Sequence, residues 1–496
     1  MTTHAWTGRD DLPPTVGLVA TTLAVYWGIW HQPFVGDDWL RLYALETQGW
    51  AAVPAAINGL FFRPAAELYL WAAHHLFGLN PALYHLLALA LHAVNGLLVV
   101  SVLQRLTHAA WLAWGTGYLY VAASTVHLEP LGWIVGIYEL GSVLFLLLAV
   151  RWFIVGRVAL SAVAYFVALL FKESVLLLPG VLLVWRLETR SRRLSMLNPH
   201  LLVMLGYLGW RVARVLEGTA PSPFALDSEH PYAVSLWGPH LVDNATTYAG
   251  WALQAFLPWS ITGRFTPLIA VAALAVGVVF LTRQRRQVTR SLPTLGTWVL
   301  VMFGPLLTLP NHAFRYYLSP ALPAILALGV WVAGVLWARR ETGPRLEILI
   351  PLLVFAIASS LSHAQRTHRV IGPPWLADGT SHLFDRGRTV LAAEAELRQW
   401  RSRWLAGSNL VFSGVDVWAF GRDAGPRIWL DDPTLEVFDA RYVERRDGGL
   451  VAVGQPETLA AQTMAEQAGA GQPEDNHHRA LDPERTVFLD AGDLGL

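Results

Sequence analysis

Apolar stretches long enough, or nearly long enough, to cross a bilayer recur along this chain at residues 13–30, 82–104, 108–126, 131–150, 158–171, 174–187, 196–213, 265–282, 292–309, 318–338 and 346–361. A crossing helix takes about 20 residues, and eleven candidates are more than one soluble core can enclose. The pattern predicts a mainly α, polytopic transmembrane helical bundle of about 11 spans. Composition agrees: only 15% of residues are charged, against about 25% in a typical soluble domain. The 23 tryptophans suit membrane interfaces and sugar-binding surfaces. Lys plus Arg and Asp plus Glu stand at 36 each, which argues against nucleic acid as a partner. The absence of cysteine excludes disulfides, thiolate nucleophiles and thiolate metal sites. Arg9, Asp10 and Asp11 precede an apolar run to Trp30 that has no small-residue cleavage site, so this run reads as a retained first helix.

Arginines cluster in alternate gaps: Arg105; Arg151 and Arg157; Arg186, Arg190, Arg192 and Arg193; Arg283, Arg285, Arg286 and Arg290; Arg339, Arg340 and Arg345. The positive-inside rule makes these gaps cytoplasmic. The remaining gaps then face outward, and they hold Asp37 and Asp38, His127 and Glu129, Lys172 and Glu173, the 214–264 stretch and Asn311 to Tyr317. This parity requires residues 240–258, apolar but dotted with Asp243, Asn244 and Gln254, to lie along the outer surface as an interfacial helix.

Two regions depart from the spanning pattern. Residues 31–81 form a long first outer loop, with short helices expected at Leu40 to Leu45 and at Ala65 to Phe77, the second carrying Trp71, His74 and His75. From residue 364 onward charge rises, and strand-like runs such as Asn409 to Phe412 and Arg427 to Leu430 lie between turn residues. The division is therefore a multi-span domain over 1–363 and a small extracytoplasmic α+β domain over 364–496. In the latter, the Ala/Gly/Gln/Pro-rich 453–475 reads as a flexible insertion before a last strand, Thr486 to Leu489. No internal repeat is visible.

The polar residues at the outer ends invite a chemical reading. Asp37 and Asp38 follow a Pro and a Gly in His31-Gln32-Pro33-Phe34-Val35-Gly36-Asp37-Asp38-Trp39. Adjacent acids at a membrane boundary are costly unless used. They could activate a hydroxyl, hold a divalent metal, cap a helix, or bind a loop arginine such as Arg63. No second acidic cluster or full ligand set accompanies them, so a metal is not required by the pattern. His85, His92 and Asn95 fall on one helix face, where interhelical hydrogen bonding is the plain reading. Zinc at His74 and His75 lacks further ligands at suitable spacing.

Several motifs, in order, resemble one family. Asp37-Asp38 after the first span, Phe62-Arg63-Pro64, Pro81-Ala82-Leu83-Tyr84-His85-Leu86 running into Leu91-His92-Ala93-Val94-Asn95, Glu129-Pro130-Leu131-Gly132-Trp133-Ile134, and Phe171-Lys172-Glu173-Ser174 with Pro179 are similar to those of membrane-embedded glycosyltransferases of the type C fold. The likeness is to bacterial relatives of the tetratricopeptide-bearing transmembrane O-mannosyltransferases and of protein O-mannosyltransferases. It covers residues 10–190 and, more loosely, 300–320. The chain departs from that pattern in having no tetratricopeptide repeats, in Glu139 where relatives often carry a basic residue, and in the lack of an acid before Arg315-Tyr316. The resemblance implies transfer of a hexose, mannosyl-like, from a polyprenyl-phosphate donor, at the outer face of the cytoplasmic membrane, without a required cofactor. The acceptor, whether protein, lipid or glycan, stays open.

Glycosyl transfer of this kind needs a carboxylate for the acceptor proton, cations for the departing phosphate, and stacking surfaces for the sugar. Asp37 is the candidate base and Asp38 its orienting neighbour. Lys172, the one lysine in the chain, stands beside Glu173 and would serve the phosphate or simply pair with that acid. Arg315 would grip the phosphate with two parallel hydrogen bonds, with Tyr316 and Tyr317 as interface anchors. His127 and Glu129 would bind sugar hydroxyls or support Asp37, and Arg63 lies in the matching loop motif. Two other classes remain: a transporter or flippase of lipid-linked sugars, which would favour midplane charges and repeat symmetry, and a non-catalytic membrane scaffold. Moving sugar from a lipid-phosphate donor onto an acceptor would separate them.

Overall fold

A computed structural model describes residues 12–57, 61–189, 193–226, 228, 230–256, 291–336, 338–339, 343–344, 346–369, 381–446, 449–452, 479–492 and 494. The membrane-like part contains helices α1 (Leu12–Val25), α2 (Asp37–Gln48), α3 (Ala52–Ile57), α4 (Pro64–Phe77), α5 (Pro81–Thr107), α6 (Ala110–Ala122), α7 (Ser124–Gly132), α8 (Ile137–Ile154) and α9 (Val158–Phe171). It continues through α10 (Leu178–Glu188), α11 (Asn198–Leu216), α12 (His240–Gln254), α13 (Leu292–Phe303), α14 (Leu322–Leu336) and α15 (Leu346–Arg369). A two-stranded hairpin, β1 (Ala338–Arg339) and β2 (Gly343–Pro344), lies between the last two helices. Among the described residues, two helices are long and apolar enough to cross a membrane, Pro81–Thr107 and Ile134–Ile154; Leu12–Val25, Val158–Phe171, Leu292–Thr308, Leu322–Gly334 and Ile350–Ala364 are shorter apolar helices. The expected span at 265–282 and the arginines at 283–290 lie outside the described residues.

Local chemistry sets the ends of these helices. Asn80 accepts a hydrogen bond from the Ala82 N–H and Pro81 occupies the first turn, so α5 starts there. The expected single span over 108–126 is instead broken at Ala123, which is not helical (ψ 68°). Beyond it α7 is wholly buried, its Ser124 hydroxyl bonded to the Ser360 carbonyl of α15 and Pro130 in its interior without an N–H to donate. The three polar side chains expected on one face of α5, His85, His92 and Asn95, tie it to neighbouring segments. His85 places its two ring nitrogens against the carbonyls of Leu131 (2.8 Å) and Gln32 (3.1 Å), His92 meets the Val121 carbonyl, and Asn95 donates to the Leu140 carbonyl. At the opposite end of α5, Arg105 and Arg151 converge on Ser101, placing two of the expected cytoplasmic arginines together. The helix expected within 240–258 is α12, which packs on the 3₁₀ turns Gly304–Thr308 and Arg315–Leu318, with Asn244 donating to the carbonyls of Leu307 and Leu309.

The C-terminal part contains α16 (Ser381–Trp400), β3 (Asn409–Ser413), α17 (Ala424–Leu430), β4 (Glu436–Asp439), β5 (Val443–Arg446), β6 (Gly449–Ala452), β7 (Arg479–Leu481) and β8 (Thr486–Asp490). β3 lies between β4 and β8 in a parallel sheet, with Leu410 opposite Val437 and Val487, and β5, β6 and β7 pair antiparallel. The strand expected at Arg427 to Leu430 is instead the helix α17. Arg427 pairs one turn back with Asp423 at 2.8 Å, and this spacing buries Trp429 and Leu430 together with Ala424 and Gly425. The flexible insertion expected at 453–475 lies outside the described residues. One core cluster runs from Tyr26, Phe34 and Trp39 through Leu131 and Ile134 to Val390, Phe412 and Trp429, so the C-terminal part shares its core with the segment after α1.

Candidate functional site

The acid pair begins α2. Gly36 turns the chain with φ 57°, a region that favours glycine, so that Asp37 and Asp38 enter the first turn, where helix N–H groups favour negative charge. The two neighbours then have opposite fates. Asp38 is fully buried: its Oδ2 accepts from the Val35 N–H (3.1 Å) and its Oδ1 from the N–H groups of Ile134 (3.1 Å) and Val135 (3.2 Å). It ties the segment before α2 to the turn that leads into α8 and is unavailable to substrate. Burial pushes its carboxyl well above the ordinary range, against those three donors, and the charge of Asp37 adds to the rise. Asp37 is exposed and has no hydrogen bond among the described residues. The protein around it still raises its carboxyl, opposed by the guanidinium groups of Arg41 and Arg386.

These contacts bear directly on the metal reading. Backbone N–H dipoles already occupy both oxygens of Asp38 and would repel a cation, and the described residues contain no group of three metal-ligating side chains. Asp38 is thereby taken up by backbone donors, which leaves Asp37 alone in the pair to offer oxygens to an ion.

A second group of charges lies alongside, with Lys172 and Glu139 buried and Arg63 and Glu173 partly buried, and each acid has a cation partner. Lys172 is extended (φ −162°, ψ 139°) between α9 and α10, so consecutive side chains leave the chain on different sides. Lys172 donates to the buried Glu139 of α8, and its ammonium lies over the Tyr317 ring at 4.2 Å. Glu173, on the other side, accepts two hydrogen bonds from Arg63, at 3.2 and 2.7 Å. Burial pushes Glu173 up, but the guanidinium and its hydrogen bonds outweigh that and hold the carboxyl at about 2. The expected Lys172–Glu173 pair is therefore wrong, because the extended backbone separates them. Glu139 is the true partner, which accounts for an acid at that position. Nearby, Tyr138 donates to Glu67 at 2.7 Å and Arg41 reaches the same carboxylate at 3.7 Å.

Glu129 is buried in α7 and makes no hydrogen bond among the described residues. Burial pushes its carboxyl up to about 7, against the pull of Arg315, Arg386 and Lys172. Arg315 begins the 3₁₀ turn packed on α7; its Nη1 donates to the Gln254 Oε1 at 2.8 Å, and the guanidinium lies over Trp251 at 5.4 Å. Tyr316 and Tyr317 belong to the core beside Lys172 and are not interface anchors, since their rings cover the ammonium. His127 is fully buried against His92 and Tyr120, with ring centroids 4.4 and 4.7 Å apart, and cannot touch a substrate there. His74 pairs with Glu46 and His75 packs on Trp71.

The structure thus brings Asp37, Glu129 and Arg315 to one end of the bundle and sets Arg63, Glu173 and Lys172 beside them as paired supports. Sequence reasoning missed Arg41 and Arg386. Arg41 was legible in principle, one helical turn after Asp37; nothing local marks Arg386, which arrives from the C-terminal part.

The chain matches no protein-family model and no curated protein. Among solved structures it is similar to ArnT from Cupriavidus metallidurans bound to undecaprenyl phosphate, at 16% identity and a TM-score of 0.44, covering 87% of this chain and 86% of that one. It is similar also to ArnT from the same organism in the apo state, at 17% identity and a TM-score of 0.45, covering 86% of each chain.

Proposed function

We propose that this chain is a polytopic membrane glycosyltransferase that moves a sugar from a polyprenyl phosphate to an acceptor hydroxyl at the outer face of the cytoplasmic membrane. The observation that carries the reading is the division of labour in the acid pair: Asp38 is locked by three backbone N–H groups and holds Asp37 exposed, unbonded and beside cations. The ordered motifs from Asp37 to Pro179 support the choice of reaction. Asp37 takes the proton of the acceptor hydroxyl as that oxygen bonds to the anomeric carbon. The bond from this carbon to the phosphate oxygen breaks, and its electron pair stays on the departing polyprenyl phosphate. Arg315, held by Gln254 and Trp251, places its guanidinium charge where the phosphate charge grows. Lys172 contributes through its field, because its ammonium is already committed to Glu139.

The test is transfer of labelled sugar from a polyprenyl-phosphate donor by purified full-length protein onto a panel of peptide, lipid and glycan acceptors. Label should move to one class, and Arg315→Lys, which loses the two-pronged grip, should lower turnover more than acceptor affinity. Donor crossing of proteoliposomes without transfer to any acceptor would overturn the reading in favour of a flippase.

A further inference from the structure

The C-terminal part is seated on the acid pair at two neighbouring points. The Gly36 N–H donates to the Ala419 carbonyl at 2.8 Å, one residue before Asp37. Gly421 (φ +64°) lies so close that a Cβ there would stand 2.9 Å from both the Gly36 carbonyl oxygen and the Trp39 Cβ. The rings of Trp39 and Trp429 meet edge-on at 5.2 Å. The first turns of α16 form the second contact. Gln32 donates to the Leu383 carbonyl at 3.2 Å, a Cβ on Gly387 would stand 2.8 Å from the Gln32 amide, and Leu383 and Phe384 pack on Gly132. Residues 383–387 are therefore wedged between Gln32, five residues before Asp37, and Gly132, three residues after Glu129. His85 holds the same two strands of chain from beneath, through the Gln32 and Leu131 carbonyls.

Arg386 stands in this wedge. Its Nε donates to the Asp416 Oδ2 at 2.7 Å, and the other oxygen of Asp416 accepts from the Trp418 N–H at 3.1 Å, in the turn that also holds Gly36. Gly36, Ala419, Asp416 and Arg386 thus form a short chain of contacts that leads back to Asp37. We infer that Arg386 is a positioning residue for Asp37, and that the C-terminal domain is in consequence part of the catalytic unit. The inference rests on the reading of Asp37 as the base. The charges that act on Asp37 are Arg41 and Asp38 on its own helix and Arg386 from α16, with Asp416 bonded to Arg386 and Glu129 also within the field of Arg386. Of the two cations, only Arg386 comes from outside the membrane-like part. It favours the ionised carboxylate, and its tie to Asp416 fixes where that favour is felt.

The experiment follows carbodiimide labelling of Asp37 by mass spectrometry across pH in the full-length protein, beside pH profiles of transfer. Carbodiimide attacks the protonated acid, so loss of a nearby cation should keep Asp37 reactive to higher pH. With Arg386→Gln the labelling midpoint should rise by about half a unit to one unit. The acid limb of kcat/KM should move with it, and kcat should fall more than KM changes. Arg386→Lys should restore most of both midpoints, and Asp416→Asn should give a smaller shift of the same sign. The Arg386 side chain is 33% exposed, so these changes open no core. Unchanged labelling and an unchanged acid limb in Arg386→Gln would reduce the residue to a surface ion pair. A shifted labelling midpoint in a protein that transfers no sugar would retain the electrostatic role of Arg386 and remove the transferase reading.

Discussion

Two groups of charges lie side by side at one end of the bundle, and they are built on opposite terms. Around Lys172 and Glu173 every acid has found its cation: Glu173 takes two hydrogen bonds from Arg63, and Glu139 takes the ammonium. Around Asp37 and Glu129 the acids feel cations without bonding to them. A buried charge left unpaired is strongly destabilising. Paired charges can therefore be explained by the fold alone, whereas Glu129, buried and unbonded, needs another reason, such as binding a partner that brings its own hydroxyl or phosphate; Asp37, exposed, is solvated and open to such a partner. The same contrast divides Asp37 from Asp38 within one turn of helix.

The sharpest way to break the comparison is at Asp37. Asp37→Asn is nearly isosteric and removes a residue that makes no hydrogen bond among the described ones, so the unfolding midpoint should stay within experimental error. Transfer should fall by about a hundredfold or more, the usual cost of losing a general base. Asp38→Asn should do the reverse at first sight, losing stability because an amide nitrogen cannot accept from the N–H groups that both carboxylate oxygens now satisfy. Near-normal turnover in Asp37→Asn would place both acids on the structural side.

The paired group should respond in stability. Lys172→Met leaves Glu139 buried without its cation, and the expected cost is about 3–5 kcal/mol in denaturant unfolding. Adding Glu139→Gln should recover much of that loss, because the orphaned charge goes with it. A Lys172→Met protein of ordinary stability that cannot transfer sugar would move Lys172 into the reacting group.

How these groups were legible in the sequence follows the same division. The helices at 82–104, 158–171 and 196–213 could be read because long apolar runs leave little choice, and the last strand at Thr486 could be read from its flanking turns. The break at Ala123 could not, because it depends on Ser124 reaching a carbonyl in α15, more than two hundred residues away. Asp37, Glu129 and Arg315 stood out as polar residues beside apolar runs. The cation beside Asp37 did not, since Arg386 reaches the site only through the docking of α16, and Glu139, visible as an acid inside a span, could not be matched to Lys172 from the sequence. The strand expected at Arg427 to Leu430 differs for a related reason: a short apolar run between turn residues fits a strand or a helix, and the Asp423–Arg427 pairing one turn apart favours the helix.

Glu129 offers the gentlest test. Its carboxyl, ordinarily near 4.5, is raised to about 7 by burial that Arg315, Arg386 and Lys172 only partly offset. A carboxyl raised on folding binds its proton more tightly in the folded state, so it stabilises the protein fully below the unfolded value, and that stabilisation fades as pH climbs from about 4.5 through 7. In Glu129→Gln this slope should vanish, which predicts a flatter stability curve between pH 5 and 7.5 and a difference on the order of 1–3 kcal/mol across it. If Glu129 also handles a proton during transfer, the wild-type rate should bend near neutral pH and the variant should lose that bend. A stability difference without a change in the rate profile would leave Glu129 as a buried acid tuned by its surroundings and would confine the chemistry to Asp37 and the cations around it. An identical stability slope in both proteins would show that Glu129 pairs with a neighbouring arginine more closely than its present geometry indicates, and would move it into the paired group.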